Sequence, residues 1–223
     1  MKKLIKTTYQ NFFRVNEFVA QTSPMRTHYL SKNPFEKLLW QHKLISMKSI
    51  LRSIPYKTVL DIGCGDGAGL STVKPSADYT GLDISPTQVT YMKQHFRSWK
   101  NKRSGTVSII EHDAVPLPCP SKSFDLILAC DVLEHVLEPE KLLSEIQRVL
   151  TPRGYLFVSI PNEPIWEILR TLMFRFPARS PDHLSYIQES DITAVFPKVK
   201  KKQYIPNIVG SFHLITLMLV QKR

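Results

Sequence analysis

The stretch Thr58-Val59-Leu60-Asp61-Ile62-Gly63-Cys64-Gly65-Asp66-Gly67 constrains this chain more than any other. An apolar, β-prone run climbs to an acidic residue and then breaks into glycines at every second position. Residues 59–62 are too few for a helix and read as a buried strand of a parallel sheet. Gly63, Gly65 and Gly67 then form a turn lined by main chain, because glycine lacks a Cβ and accepts positive φ. Strand, glycine turn and helix start together predict a nucleotide-type pocket at the carboxyl end of a sheet.

The rest of the chain repeats that rhythm. Asn33-Pro34 opens a helix, Asn as cap and Pro in the first turn, and Pro55 lies beyond its end. A short helix is expected over residues 68–73, stopped before Pro75, and a strand over 78–83. Ser85-Pro86-Thr87-Gln88 is another helix opening, followed by an apolar stripe of Val89, Met92, Phe96 and Trp99. Strands are expected over 106–110, 124–130 and 155–160, with a helix over 139–150. Strands alternating with helices argue an α/β fold with a Rossmann-like, doubly wound and mainly parallel sheet. The last third departs from the rhythm. Helices are expected over 165–174 and 188–196, and two strand-like runs, 199–205 and 212–220, sit close enough to pair antiparallel. The organisation predicted is an N-terminal helical arm or cap, residues 1–55, and a main domain, 56–223, with a lid-like insert at about 162–187.

A length of 223 residues suits this plan. No run approaches the roughly 18 uninterrupted apolar residues of a membrane span. The first residues resemble no signal peptide. Cys64, Cys119 and Cys130 are odd in number and lack metal-ligand spacing, so a reducing, cytoplasmic setting and no metal are expected. The net charge of +11 is unevenly spread: residues 1–57 carry +9, residues 58–161 carry −2 and residues 162–223 carry +4. Basic flanks suit an anionic substrate, nucleic acid or an anionic membrane met peripherally. They are equally the solvated lysines that keep a protein in solution.

Three acids follow three successive predicted strands: Asp61, Asp83 and Asp113. Asp83 lies 22 residues past Asp61, near the roughly 20-residue distance at which an acid meets a ribose in nucleotide folds. Its two oxygens can accept from both ribose hydroxyls. Asp113 can then take an exocyclic adenine amine, and Asp61 a cationic end near the turn. The glycine spacing is one residue short of the dinucleotide pattern Gly-x-Gly-x-x-Gly, which argues against a dehydrogenase.

The order Val59 to Gly67, then Gly81-Leu82-Asp83-Ile84-Ser85, resembles the class I S-adenosylmethionine-dependent methyltransferases. Asp113-Ala114, the loop Leu117-Pro118-Cys119-Pro120, Asp131-Val132-Leu133-Glu134-His135-Val136 and Arg148-Val149-Leu150-Thr151-Pro152-Arg153-Gly154 carry the same likeness. It is nearest to the small-molecule group that includes quinone and sterol-type enzymes, and covers roughly residues 56–162. The resemblance implies S-adenosylmethionine as cofactor, S-adenosylhomocysteine as product, and a site built from Asp61, Gly63, Cys64, Gly65, Asp83, Ile84, Asp113, Ala114 and Cys130. It also implies an antiparallel strand at the end of the sheet.

Methyl transfer from a sulfonium is an in-line displacement, so the protein has mainly to align the reactants and exclude water. A phenol or enol acceptor would also need a base, for which His135 and His183 are the candidates. Pro118-Cys119-Pro120 looks like the Pro-Cys of cytosine-C5 methyltransferases, but lies before the fourth strand and reads as a loop. The leading reading is a methyltransferase for a small or lipid-like acceptor, with the aromatic, Arg-containing stretch 166–176 as an apolar lid. The alternatives are an RNA methyltransferase using the basic flanks and a non-catalytic cofactor-binding fold.

Overall fold

The computed structural model describes residue 17 and residues 33–100, 102–172, 174, 183–206 and 213–223, without the side chains of 96–100. The helical arm expected over the first thirty residues therefore lies outside the described residues, apart from Glu17. Phe96 and Trp99 of the predicted stripe lie outside the described side chains.

Seven strands form one sheet in the order β3-β2-β1-β4-β5-β7-β6. They are β1 (Thr58–Ile62), β2 (Asp78–Asp83), β3 (Val107–Glu111), β4 (Phe124–Cys130), β5 (Leu150–Pro161), β6 (Lys198–Ile205) and β7 (Ile215–Gln221). The first five are parallel to one another, and β7 runs antiparallel to both β5 and β6. The chain leaves β1 towards β2 and β3, then returns to place β4 on the other side of β1. That reversal opens a crevice above the carboxyl ends of β1 and β4.

Among the described residues, five helices flank the sheet: α1 (Pro34–Arg52), α2 (Pro86–Lys100), α3 (Pro139–Val149), α4 (Glu163–Leu172) and α5 (Glu189–Val195). Asn33 caps α1, its Oδ1 accepting from the Phe35 and Glu36 amides. A reciprocal box of Gln188 and Asp191 opens α5. Alternation along the strands divides the core into two layers. On one face Val59, Tyr79, Leu126, Leu128, Phe157 and Leu217 meet Leu39, Met47, Ile50 and Leu51 of α1. On the other, Leu60, Ile62, Ile127, Leu156, Val158 and Met218 meet Leu142, Leu143 and Ile146 of α3 and Ile192 of α5.

Three details differ from the sequence expectations. The helix expected over 68–73 is a single 3-10 turn, Gly69–Ser71, because Pro75 and two glycines leave no room for a second turn. Strand β5 starts five residues early: the predicted Thr151–Gly154 turn is a bulge inside it, with Arg153 at φ +65°. Helix α4 starts at Glu163 rather than 165 and is described as far as Leu172. Among the described residues, no helix is long and apolar enough to cross a membrane.

Candidate active site

The glycine turn closes directly on the end of β1. Gly63, Gly65 and Gly67 take φ of +66°, +52° and +89°. A Cβ on Gly63 would stand 2.6 Å from Val132 Cγ2, so the turn is pressed against the segment that leaves β4. At Gly65 a Cβ would meet nothing within 4 Å, so the main chain there faces open space. Such a stretch of exposed backbone is what a cofactor needs for close approach.

Asp83, at the end of β2, is bound to this turn. Its Oδ2 accepts from the Gly65 amide at 2.8 Å and its Oδ1 from the Ser85 amide at 2.9 Å. Burial pushes its pKa up, against the pull of those amides. Each oxygen keeps a second lone pair, enough to accept from a ribose hydroxyl. Ser85 caps α2, its Oγ accepting from the Gln88 amide. Glu17 reaches the same corner: Ser85 Oγ donates to it at 2.6 Å, as does Thr87 Oγ1. Sequence reasoning gave no sign of Glu17, since only the fold brings it across 68 residues.

Asp61 is turned inward. It is 3% exposed, accepts from the Tyr79 hydroxyl at 2.5 Å, and is raised by burial to a pKa of about 7. Cys64 and Cys130 lie nearby with thiols held protonated by burial, Cys130 at about 12. Ile84, Asp113 and Ala114 are half-buried beyond the ends of β2 and β3. Cys119 lies in a loop pinned by Arg148, whose guanidinium donates to the Cys119 carbonyl at 2.8 Å, and burial raises its thiol too.

A second group of polar side chains stands beyond β4 and β5. Lys43 of α1, 3% exposed, is ion-paired to Asp131, whose other oxygen accepts from Ser159 Oγ at 2.8 Å. Asp131 itself sits at φ +55°, an uncommon conformation outside glycine. Glu134 follows in a 3-10 turn, Leu133–His135, and is 2% exposed. Burial, with the charge of Asp131, raises its pKa to about 8. Its carbonyl accepts from the Leu184 and Ser185 amides, which draws His183 alongside. The His183 ring meets His135 edge-on at 4.8 Å between centroids, and its Nδ1 is bonded to Oε1 of Glu163. Glu134, His135 and His183 each bring one donor atom within 4.8 Å of the others, a spacing able to share a proton or to close on a cation.

The fold thus joins the two histidines that sequence reasoning picked out, although 48 positions separate them. It adds Glu163, Glu134 and Lys43, which that reasoning missed. Lys43 did carry a signal: with Leu39, Met47 and Ile50 it falls on the buried stripe of α1, where a lysine needs a partner.

Comparison with known proteins converges on this architecture. Residues 60–158 match the model of a methyltransferase domain family. The chain contains a class I S-adenosylmethionine-dependent methyltransferase domain. A ubiquinone biosynthesis O-methyltransferase of Coxiella burnetii is 27% identical over 175 residues, covering 72% of each chain. One from Aliivibrio fischeri is 29% identical over 143 residues, covering 61% of this chain and 60% of the relative. Among solved structures, the magnesium protoporphyrin IX methyltransferase of Synechocystis superposes with a TM-score of 0.69 at 20% identity, over 98% of this chain and all of the other. The N-methyltransferase NodS of Bradyrhizobium japonicum gives 0.65 at 21% identity, over 96% and 98%. These likenesses show the same fold, and the glycine turn lies within the matched residues. The residues at the turn fit the cofactor, with backbone open at Gly65 and an acid fixed beside it.

Proposed function

We propose that the protein transfers a methyl group from S-adenosylmethionine to an oxygen of a small, lipid-like acceptor, with His183 as the base. The Glu163–His183 pair carries this reading. Glu163 is 4% exposed and accepts from Nδ1 of His183, which leaves Nε2 able to take a proton from an acceptor hydroxyl. His135 stacks its edge on the same ring and fixes its plane.

The bound cofactor supplies an already activated methyl group on sulfur. The chain does the rest. Asp83, fixed by the Gly65 amide, would hold the ribose end, with Ile84, Asp113 and Ala114 along the adenine and Gly63, Cys64 and Cys130 along the amino-acid end. Asp61 reaches that end through the oxygen that Tyr79 leaves free. His183 removes the acceptor proton as the oxygen becomes a nucleophile, and Glu163 stabilises the imidazolium that results. The names of the relatives, O-methyltransferases of ubiquinone biosynthesis, support an oxygen acceptor over RNA. The exposed apolar residues Ile168, Leu172 and Phe174 of the insert suit an acceptor with a hydrocarbon tail, met at an anionic membrane surface to which the basic flanks are drawn.

Methyl transfer to a phenolic acceptor measures this directly. His183→Ala should lower kcat by roughly 10²–10⁴, the usual share of a general base, and leave S-adenosylmethionine binding unchanged. Full activity in that variant would remove His183 from the mechanism.

A further inference from the structure

A cavity of about 210 Å³ opens at the carboxyl end of β5, walled in part by Asn162, Glu163, Ile187, Glu189, His213 and Thr216. Glu163 is common to this cavity and to the His183 pair, so the two spaces adjoin through one side chain. The far wall is a chain of polar contacts. His213 Nε2 lies 3.0 Å from Thr216 Oγ1, Thr216 Oγ1 donates to Glu189 Oε1 at 3.3 Å, and Lys202 donates to Glu189 Oε2 at 2.9 Å. No lysine or arginine is among the described lining residues. The Lys202 ammonium is held on the oxygen of Glu189 that Thr216 does not use.

We propose that this cavity seats an uncharged, hydroxyl-bearing end of the methyl acceptor, and that Glu189 and Thr216 select against anionic acceptors. The inference rests on the oxygen-methylating reading above, with the reacting hydroxyl at His183 and the second polar end beyond Glu163. A hydroxyl entering here finds carboxylate, hydroxyl and amide oxygens that can accept from it. A carboxylate or phosphate would face two carboxylates, with no lysine or arginine among the described lining residues. Tyr186, 45% exposed, is the aromatic edge over which such a ligand would enter.

An isosteric pair tests this: 4-hydroxybenzyl alcohol and 4-hydroxybenzoate, titrated into the full chain saturated with S-adenosylhomocysteine and followed by methyl NMR at Ile160, Ile187 and Thr216. The alcohol should move these methyls and bind about tenfold more tightly than the benzoate, the discrimination expected of like charges brought together. Glu189→Gln should narrow that gap several-fold, chiefly by improving the benzoate. Thr216→Val, close in shape, should weaken the alcohol about fivefold. Equal or tighter binding of the benzoate, or shifts confined to other methyls, would overturn the proposal, as would no shift from either compound. The base is read separately. If His183→Ala abolishes transfer while the alcohol shifts persist, both ideas stand; if it abolishes transfer and the shifts are missing from the unmodified protein, the subsite alone is wrong.

Discussion

Asp83 and Lys43 show how much hangs on single buried charges in this domain. Asp83 is held by two amides, and on the proposed reading its remaining lone pairs take the ribose. Asp83→Ala should weaken S-adenosylmethionine binding by roughly 1–3 kcal/mol in calorimetry, the cost of losing a buried acceptor. Unchanged affinity would place the ribose elsewhere. Lys43 balances Asp131 just beyond β4, and removing one partner of a buried pair typically costs more than the pair contributes. Lys43→Met should therefore lower stability in urea by about 3 kcal/mol, and the double change with Asp131→Asn should recover part of that loss. Asp83 could be read in the sequence because it follows a strand at a set distance from the glycine turn. The Lys43–Asp131 pair spans 88 positions, and no local pattern joins its two halves.

The glycine turn behaves as two different devices. Gly63 is filled from the protein side by Val132, whereas Gly65 faces open space. Both have positive φ, so alanine strains either one. Gly63→Ala should lower the melting temperature markedly, through collision with Val132 as well as strain. Gly65→Ala should cost only about 1 kcal/mol of stability yet largely abolish cofactor binding, because its Cβ would enter the space left for the ligand. Thermal melts with and without S-adenosylmethionine separate the two. Most elements were readable from apolar period, caps and prolines, as α1 with its Asn33 cap and α2 with its Ser85 cap show. The errors have physical causes. The turn over Thr151–Gly154 became part of β5 because hydrogen bonding to the neighbouring strand tolerated a bulge there. Glu163, which starts α4, carries no mark in the sequence, since only the fold brings His183 to it.

The domain as a whole buries acids at the carboxyl edge of its sheet, and this sets how its stability responds to pH. Glu134 carries a pKa of about 8 when folded against 4.5 ordinarily, and Asp61 about 7 against 3.8. Between each pair of values the folded protein binds more protons than the unfolded chain, so stability falls as pH rises through that window. Urea midpoints should decline from pH 5 to pH 8, and Glu134→Gln should flatten the upper part of the decline. A stability that rises over this range would show that both acids are ionised in the folded state. The doubly wound, mainly parallel sheet with its antiparallel end was legible in the sequence, because strand, turn and acid recur in a fixed order. The polar groups beyond β4 and β5 were not, since they come from α1, β4, α4, the segment at His183 and β7, and only the assembled sheet brings them together.

The central claim is that this assembly passes a methyl group to a small, lipid-like oxygen acceptor. The most direct measurement is transfer of radiolabelled methyl from S-adenosylmethionine into a cell extract, fractionated into lipid, water-soluble small molecules, RNA and protein. Label should enter the lipid or small-molecule fraction and disappear with His183→Ala. Label in RNA or protein, or labelling of lipid that His183→Ala leaves intact, would contradict it.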